Sequence, residues 1–159
     1  MRLHLGCGKK ILPGYVNIDL YNPRADVEAD VRALPYADDS IDEILAVHVL
    51  EHIWLRDVPG LLVHWRDLLV DGGKLVLELP CLDKLITYIK DNEQYDVRRI
   101  LWPMYGEPTE DMREEDLHKW FYTFDEARRY LKQAGFGEVR YETPHFHVPD
   151  RDMRIVATK

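Results

Sequence analysis

Cysteine is scarce in this chain. Its 159 residues contain two, Cys7 and Cys81, too few and too far apart for a zinc cluster or a disulfide framework. Long apolar runs are missing too. A membrane-spanning helix needs roughly 20 consecutive apolar residues, whereas patches such as Ile44 to Val47 are only strand-sized. Met1 to Gly6 lacks the apolar core of a signal peptide, so a reduced, cytoplasmic setting without a membrane partner is the expectation. Positive charge is in deficit: 21 Lys and Arg face 29 Asp and Glu, a net charge of −8. That balance argues against a nucleic-acid partner, which requires a clustered basic surface, but leaves small anionic substrates open. Repeats, low-complexity tracts and linkers are absent, so residues 1–159 are expected to form a single domain.

The remaining composition, 46% hydrophobic and 31% charged, is that of a globular protein with a real core. Leu3-His4-Leu5 forms a minimal strand that runs directly into Gly6-Cys7-Gly8. Tyr15 to Asp19 alternates like a strand and ends in an acid, and Ala25 to Asp30 does the same. Ile41 to Val47 is more continuously apolar, as expected of a strand buried on both faces. The period then changes. Asp57 and Pro59 open a helix whose apolar face is Leu61, Leu62, Trp65, Leu68 and Leu69, and Asp71-Gly72-Gly73 is expected to end it. Lys74 to Leu79 is a fifth strand, and Leu82, Leu85, Ile86 and Ile89 begin another helix. Trp102 to Asp116 reads as an irregular excursion. Thr123-Phe124-Asp125-Glu126 is a capping box for a helix closed by Gly135. Glu138 to Thr143 and Asp152 to Thr158 complete the pattern as a hairpin-like pair. Strands separated by helices indicate an α/β fold with a mostly parallel sheet.

Gly6, Cys7 and Gly8 follow the first strand, where glycine lets a ligand approach the backbone closely at the carboxyl edge of a parallel sheet. Asp19 ends the next strand, where a carboxylate can accept two hydrogen bonds from a ribose diol. Asp30 ends the third, where a carboxylate can face an adenine amino group. A nicotinamide dinucleotide is the competing ligand. It wants a third glycine about three residues beyond Gly8, where Ile11 stands, and no helix of proper length follows.

These residues resemble the class I S-adenosylmethionine-dependent methyltransferases, particularly the group often called type 11, over nearly the whole chain. Leu3 to Gly8 resembles that family's glycine-rich motif, and Asp19 its ribose acid. Asp30-Val31-Arg32-Ala33-Leu34-Pro35-Tyr36-Ala37-Asp38-Asp39-Ser40-Ile41-Asp42 resembles its "D-x-x-x-L-P-F-x-D-x-S-F-D" stretch. His48-Val49-Leu50-Glu51-His52 is similar to the segment beside the cofactor's methionine portion. Leu68 to Leu75 resembles its "L-x-P-G-G-x-L" entry to the fifth strand, and Ala134-Gly135-Phe136 its "A-G-F". The resemblance implies a Rossmann-like seven-stranded sheet of order 3-2-1-4-5-7-6. It implies S-adenosyl-L-methionine as cofactor, held by Gly6, Cys7, Gly8, Asp19, Asp30, Val31 and His48. One departure is marked. Only Lys9 to Gly14 intervene between the first two strands, and Leu20 to Ala29 between the two acids, so the helices of one flank are expected to be reduced. The trimmed opening is similar to a subgroup of small predicted methyltransferases associated with cell-surface polysaccharide genes, which implies a small-molecule or sugar-containing acceptor.

Methyl transfer gains from alignment and closeness of the reacting groups, and a hydroxyl acceptor gains further from a general base. His118, between an acidic segment and a capped helix, is the first choice for that base, and His48 the second. The aromatic and acidic segment Trp102 to Tyr122 is a lid candidate. His145 and His147 share one side of an extended chain, but a bare His-x-His lacks a third ligand and no metal is expected. The stripped flank leaves two further expectations open: a homo-oligomer covering it, and a non-catalytic cofactor-binding or interaction protein.

Overall fold

The computed structural model of the protein describes residues 1–94, 96–110 and 112–159. Seven strands form one sheet in the order β3-β2-β1-β4-β5-β7-β6. They are β1 (Arg2–Leu5), β2 (Val16–Asp19), β3 (Val27–Glu28), β4 (Ile41–Val47), β5 (Leu69–Pro80), β6 (Val139–Glu142) and β7 (Asp152–Thr158). All neighbours are parallel except β7, which runs antiparallel to both β5 and β6. This is the order and handedness of pairing expected of a class I methyltransferase sheet.

Strand alternation builds two unequal faces. Leu3, Leu5, Ile18, Ile44, Ala46, Leu75, Leu77, Ile155 and Ala157 belong to the larger core, which also takes in Leu62, Trp65 and Leu68 of α1 (Val58–Leu68) and Ala127 and Leu131 of α4 (Phe124–Gln133). The opposite face carries a smaller apolar cluster, Leu45, Val76 and Val156 packed against Leu12, Tyr15, Val47 and Phe146. Among the described residues no helix precedes Leu50, so the ten-residue crossover from β1 to β2 (residues 6–15) runs without one. Its side chains, not a helix, cover that face. The reduction read from the short spacings is therefore real, and it falls on the β3-β2-β1 half.

Polar groups complete the thin face. His4 Nδ1 lies 3.0 Å from Asn17 Oδ1, both residues being buried. Glu78, fully buried in β5, accepts from the backbone N–H groups of His145 (2.7 Å) and Phe146 (2.9 Å) and from Arg154 Nη1 (2.7 Å). One carboxylate thus ties the 143–151 connection to the central strands, and it is tolerable there only because every donor around it is aimed inward.

Several boundaries differ from the sequence expectation. The third strand is only Val27–Glu28, so Asp30 lies beyond it in a loop. The first helix stops at Leu68, because β5 begins at Leu69 and pairs with Ile41 before a register shift carries Lys74 opposite Glu43. Asp71, Gly72 and Gly73 are thus a kinked stretch of strand, Gly72 having φ +76°. The excursion from Trp102 includes the end of a helix, α3 (Arg98–Tyr105), with Pro103 in its last turn; Asp111 lies outside the described residues. In α2 (Leu82–Asp91), Leu85 is buried but Ile86 and Ile89 remain exposed. Half of the expected capping box forms: the Thr123 hydroxyl accepts from Glu126 N at 3.1 Å, while the Glu126 carboxylate accepts from Trp120 Nε1 at 3.2 Å instead of reaching back. No helix described is long and apolar enough to cross a membrane.

Removing Arg154 strands the Glu78 charge in the interior. Arg154→Ala should cost about 3–5 kcal/mol in chemical denaturation, whereas Arg140→Ala, at an exposed pair with Glu142, should leave the midpoint almost unmoved. Equal shifts for the two would show that Glu78 is not held by this pair.

Candidate functional site

The parallel strands β1, β2 and β4 end at one edge, and a cleft of about 1030 Å³ opens there. Gly6, Gly8, Asp19, Asp30, Val31 and His48 all border it. Cys7 does not. Its side chain is buried and its thiol donates weakly to Gly8 O at 3.6 Å, so only its backbone belongs to the turn. Of the seven residues expected to hold a cofactor, six line one cavity.

The two glycines are needed for different reasons. Gly6 has φ +58°, and a Cβ there would meet Val49 Cγ2 at 2.6 Å. Gly8 has φ +50°, and nothing lies within 4 Å of where its Cβ would stand. The first glycine lets β1 pack against the turn after β4. The second leaves bare backbone at the cleft.

Asp19 is held rigidly. Gly8 N donates to Oδ2 at 2.8 Å, while Tyr21 N and Asn22 N donate to Oδ1 at 2.8 and 2.9 Å. A carboxylate has about four acceptor sites, so one remains, on Oδ2. The expected ribose diol therefore meets a carboxylate on which the backbone already takes three of these sites. Asp30 is also engaged. Arg32 donates from its backbone N–H and from Nε and Nη2, and these bonds hold the Asp30 carboxyl below its ordinary range. Arg32, which sequence reasoning passed over, is therefore part of this end of the cleft.

At the other end, His48 closes β4 with a left-handed backbone, φ +52°. Its Nδ1 lies 3.1 Å from Glu51 Oε1 and its Nε2 3.7 Å from Asp152 Oδ2, an ion-pair distance and not a hydrogen bond. Burial opposes the charge, yet the two carboxylates outweigh it and hold the His48 pKa up to about 9. The flanking carboxylates favour the charged form of the ring, which offers no lone pair to an acceptor hydroxyl. Asp152 is pulled down to about 2: burial works against it, but His48 and Arg151 prevail.

His118 stands behind the wall, not on it. Its Nδ1 lies 2.6 Å from the carbonyl of Pro103, its ring meets His52 edge-on at 4.7 Å, and burial lowers its pKa. The segment read as a lid does form the far wall through Arg113, Glu114, Glu115, Asp116 and Lys119. The Arg113 guanidinium sits 3.8 Å over the Tyr21 ring, joining that wall to the turn after β2. Tyr21 and the half-exposed Trp54 were missed in the sequence; an exposed aromatic just past a strand or turn end was the available signal.

A family model described as a methyltransferase domain matches residues 5–140. The chain belongs to that family. Over 66 residues it is 38% identical to a malonyl-[acyl-carrier protein] O-methyltransferase of Xylella fastidiosa (strain M23), a match covering 42% of this chain. The matched region spans only 22% of that relative's length. An S-adenosylmethionine-dependent methyltransferase of Archaeoglobus fulgidus superposes over 99% of this chain and 85% of its own, with a TM-score of 0.64 at 15% identity. A second, from Mesorhizobium loti, covers 99% and 90% with a TM-score of 0.60 at 16% identity. At such identities the likeness is one of fold. Membership of the family implies S-adenosylmethionine as cofactor, and the bare backbone at Gly8 beside the anchored Asp19 carboxylate fits it.

Gly6→Ala should destabilise the methyltransferase domain by more than the roughly 1–2 kcal/mol of a left-handed alanine, because Val49 must also move. Gly8→Ala carries only the conformational cost. Denaturation midpoints of both variants check the order, and a larger loss at Gly8 would contradict it.

Proposed function

We propose that this domain transfers a methyl group from S-adenosylmethionine to an oxygen of a small-molecule or sugar-containing acceptor. The observation that carries the reading is the single cleft joining Gly6, Gly8, Asp19 and Asp30 to His48 along one sheet edge. When bound, the cofactor supplies an electrophilic methyl group on a sulfonium. The residues of this chain then have three tasks. Asp19, fixed by three backbone donors, offers its remaining lone pair to a ribose hydroxyl. Gly8, whose N–H and carbonyl are engaged by Asp19 and Asn22, contributes the open space beside its Cα to the amino-acid portion. Arg32 and Asp30 border the adenosine end together, the guanidinium leaving the carboxylate little to offer an adenine amino group.

The acceptor enters between the His48 end and the wall of residues 113–119. Mixed charge there, Lys9, Arg113 and Lys119 with Glu114, Glu115 and Asp116, suits a polar, hydroxyl-rich molecule better than an apolar one. The oxygen acceptor agrees with the O-methyltransferase similarity, in which the relative's printed substrate is malonyl-[acyl-carrier protein]. Rate enhancement is read chiefly as proximity and orientation, because the charged form of His48 cannot take the acceptor's proton.

Two measurements test the proposal. Calorimetric titration should show S-adenosylmethionine binding, no NAD binding, and at least about tenfold weaker cofactor binding by Asp19→Ala, from the loss of a charged hydrogen bond of roughly 1.5–3 kcal/mol. Incubation with nucleotide sugars, glycans and hydroxylated metabolites should release S-adenosylhomocysteine. Tight cofactor binding without product across that panel would favour a non-catalytic cofactor-binding module, and equal affinities would remove Asp19 from the site.

A further inference from the structure

We propose that Glu51, His52 and His118 form a binding site for one divalent transition cation, of the zinc, cobalt(II) or iron(II) kind, at the His48 end of the cleft. Each residue contributes one potential ligand atom, and the three atoms lie within 4.8 Å of one another. Two imidazoles and a carboxylate form a donor set suited to borderline metals, not to magnesium or calcium, which prefer oxygen alone.

The histidines are oriented as ligands usually are. His52 Nδ1 lies 3.2 Å from the carbonyl of Glu115, and His118 Nδ1 lies 2.6 Å from that of Pro103. A carbonyl can only accept, so Nδ1 of each ring is the donor there, and Nε2 is the nitrogen of each ring left to face a cation. Backbone carbonyls on the distal nitrogen are the usual means of fixing tautomer and ring direction at a metal centre.

The carboxylate supplies a second, independent observation. Glu51 is 1% exposed, and neither of its side-chain oxygens has a hydrogen-bond partner among the described residues. His48 Nδ1 lies 3.1 Å from Oε1 as an ion pair, so a cation bound here would share the Glu51 carboxylate with that imidazole. The Tyr122 hydroxyl is likewise buried and unpartnered; after burial itself, the Glu51 charge is the largest influence pushing its pKa up. Orphaned polar atoms of this kind are rare in native interiors and call for an ion or other partner. The carrier segments are firmly joined, since Lys119 N and Trp120 N donate to Glu51 O at 2.6 and 3.3 Å.

A rival triplet, His48, His147 and Asp152, is less suited. The Asp152 carboxylate already accepts from Arg151 Nε and Nη2, at 3.0 and 2.8 Å, so a guanidinium occupies the place of a cation. In the favoured triplet three protein ligands leave a coordination position, and His52 borders the cleft. An acceptor hydroxyl bound there would release its proton to solvent near neutral pH. That role rests on the methyl-transfer reading; the binding site does not.

The test uses untagged, metal-free protein titrated with cobalt(II). The expected result is one equivalent bound, with visible d–d absorption displaced by zinc(II), and no dependence on added S-adenosylmethionine. Glu51→Gln and His118→Gln should each weaken binding at least about tenfold, while His147→Gln should leave it within twofold. Circular dichroism and cofactor titration confirm that each variant folds. If Glu51→Gln does not fold, His52→Gln, at a partly exposed position, carries the same expectation. A folded protein that takes up no cobalt at millimolar concentration overturns the proposal, as does binding lost in His147→Gln but kept in His118→Gln. Cofactor affinity is measured separately, so failure of the methyl-transfer reading leaves a distinct signature.

Discussion

The edge of the sheet where β4 ends is organised around a half-buried imidazole between two buried carboxylates. His48 sits where β4 ends, between Glu51 and Asp152, whose side chains are 1% and 0% exposed. Neither carboxylate would be tolerable in the interior alone, and neither would the imidazolium. Their mutual attraction fixes three segments at once: the turn after β4, the start of β7 and the backbone at His48 itself, held at φ +52°. Val49, the next residue, is the one that presses on Gly6. The glycine turn, the cleft and the acidic interior thus share one constraint, and a change at His48 reaches all of them.

The second constraint is economy of chain. A parallel sheet normally gains its second cover from crossover helices, yet the first three strands are joined by loops. The missing cover is replaced by short-range polar pairing. Asn17 contacts His4, Leu12 and Asp26, and Glu78 gathers the 143–151 connection. Polar networks of this sort stabilise less per residue than a packed helix, but they hold geometry well when every donor is matched. The cleft inherits that precision, because Asp19 is positioned by the same loop that avoids a helix.

The chemical character of the cleft changes along the sheet edge. One end offers backbone and fixed carboxylates, the natural surroundings of a nucleoside. The other end holds His48 between Glu51 and Asp152, closed by a wall that Arg113 joins to Tyr21. Sheet order and the methyltransferase-domain match agree on the fold, and the cavity lies at the carboxyl edge of its parallel strands.

Much of this was legible in the sequence because it is local. Alternating Leu3 and Leu5, the acid ending β2, the Thr123 cap and the short spacings after Gly8 and Asp19 act over a few residues, and each predicted its element or its absence. The misplacements also have local explanations: Val27–Glu28 is a strand only where β2 offers a partner, and Leu69 leaves its helix because Ile41 pairs with it. Charge state and side-chain direction were of another kind. Nothing near Cys7 in the chain says that its thiol turns inward, and nothing near His48 says that Asp152 will stand beside it. The amino-acid sequence by itself determined the sheet, its trimmed flank and the residues at its edge. Only the tertiary structure decided which of them carry protons and which face the cleft, because those properties depend on partners supplied by distant segments and on the exclusion of water between them.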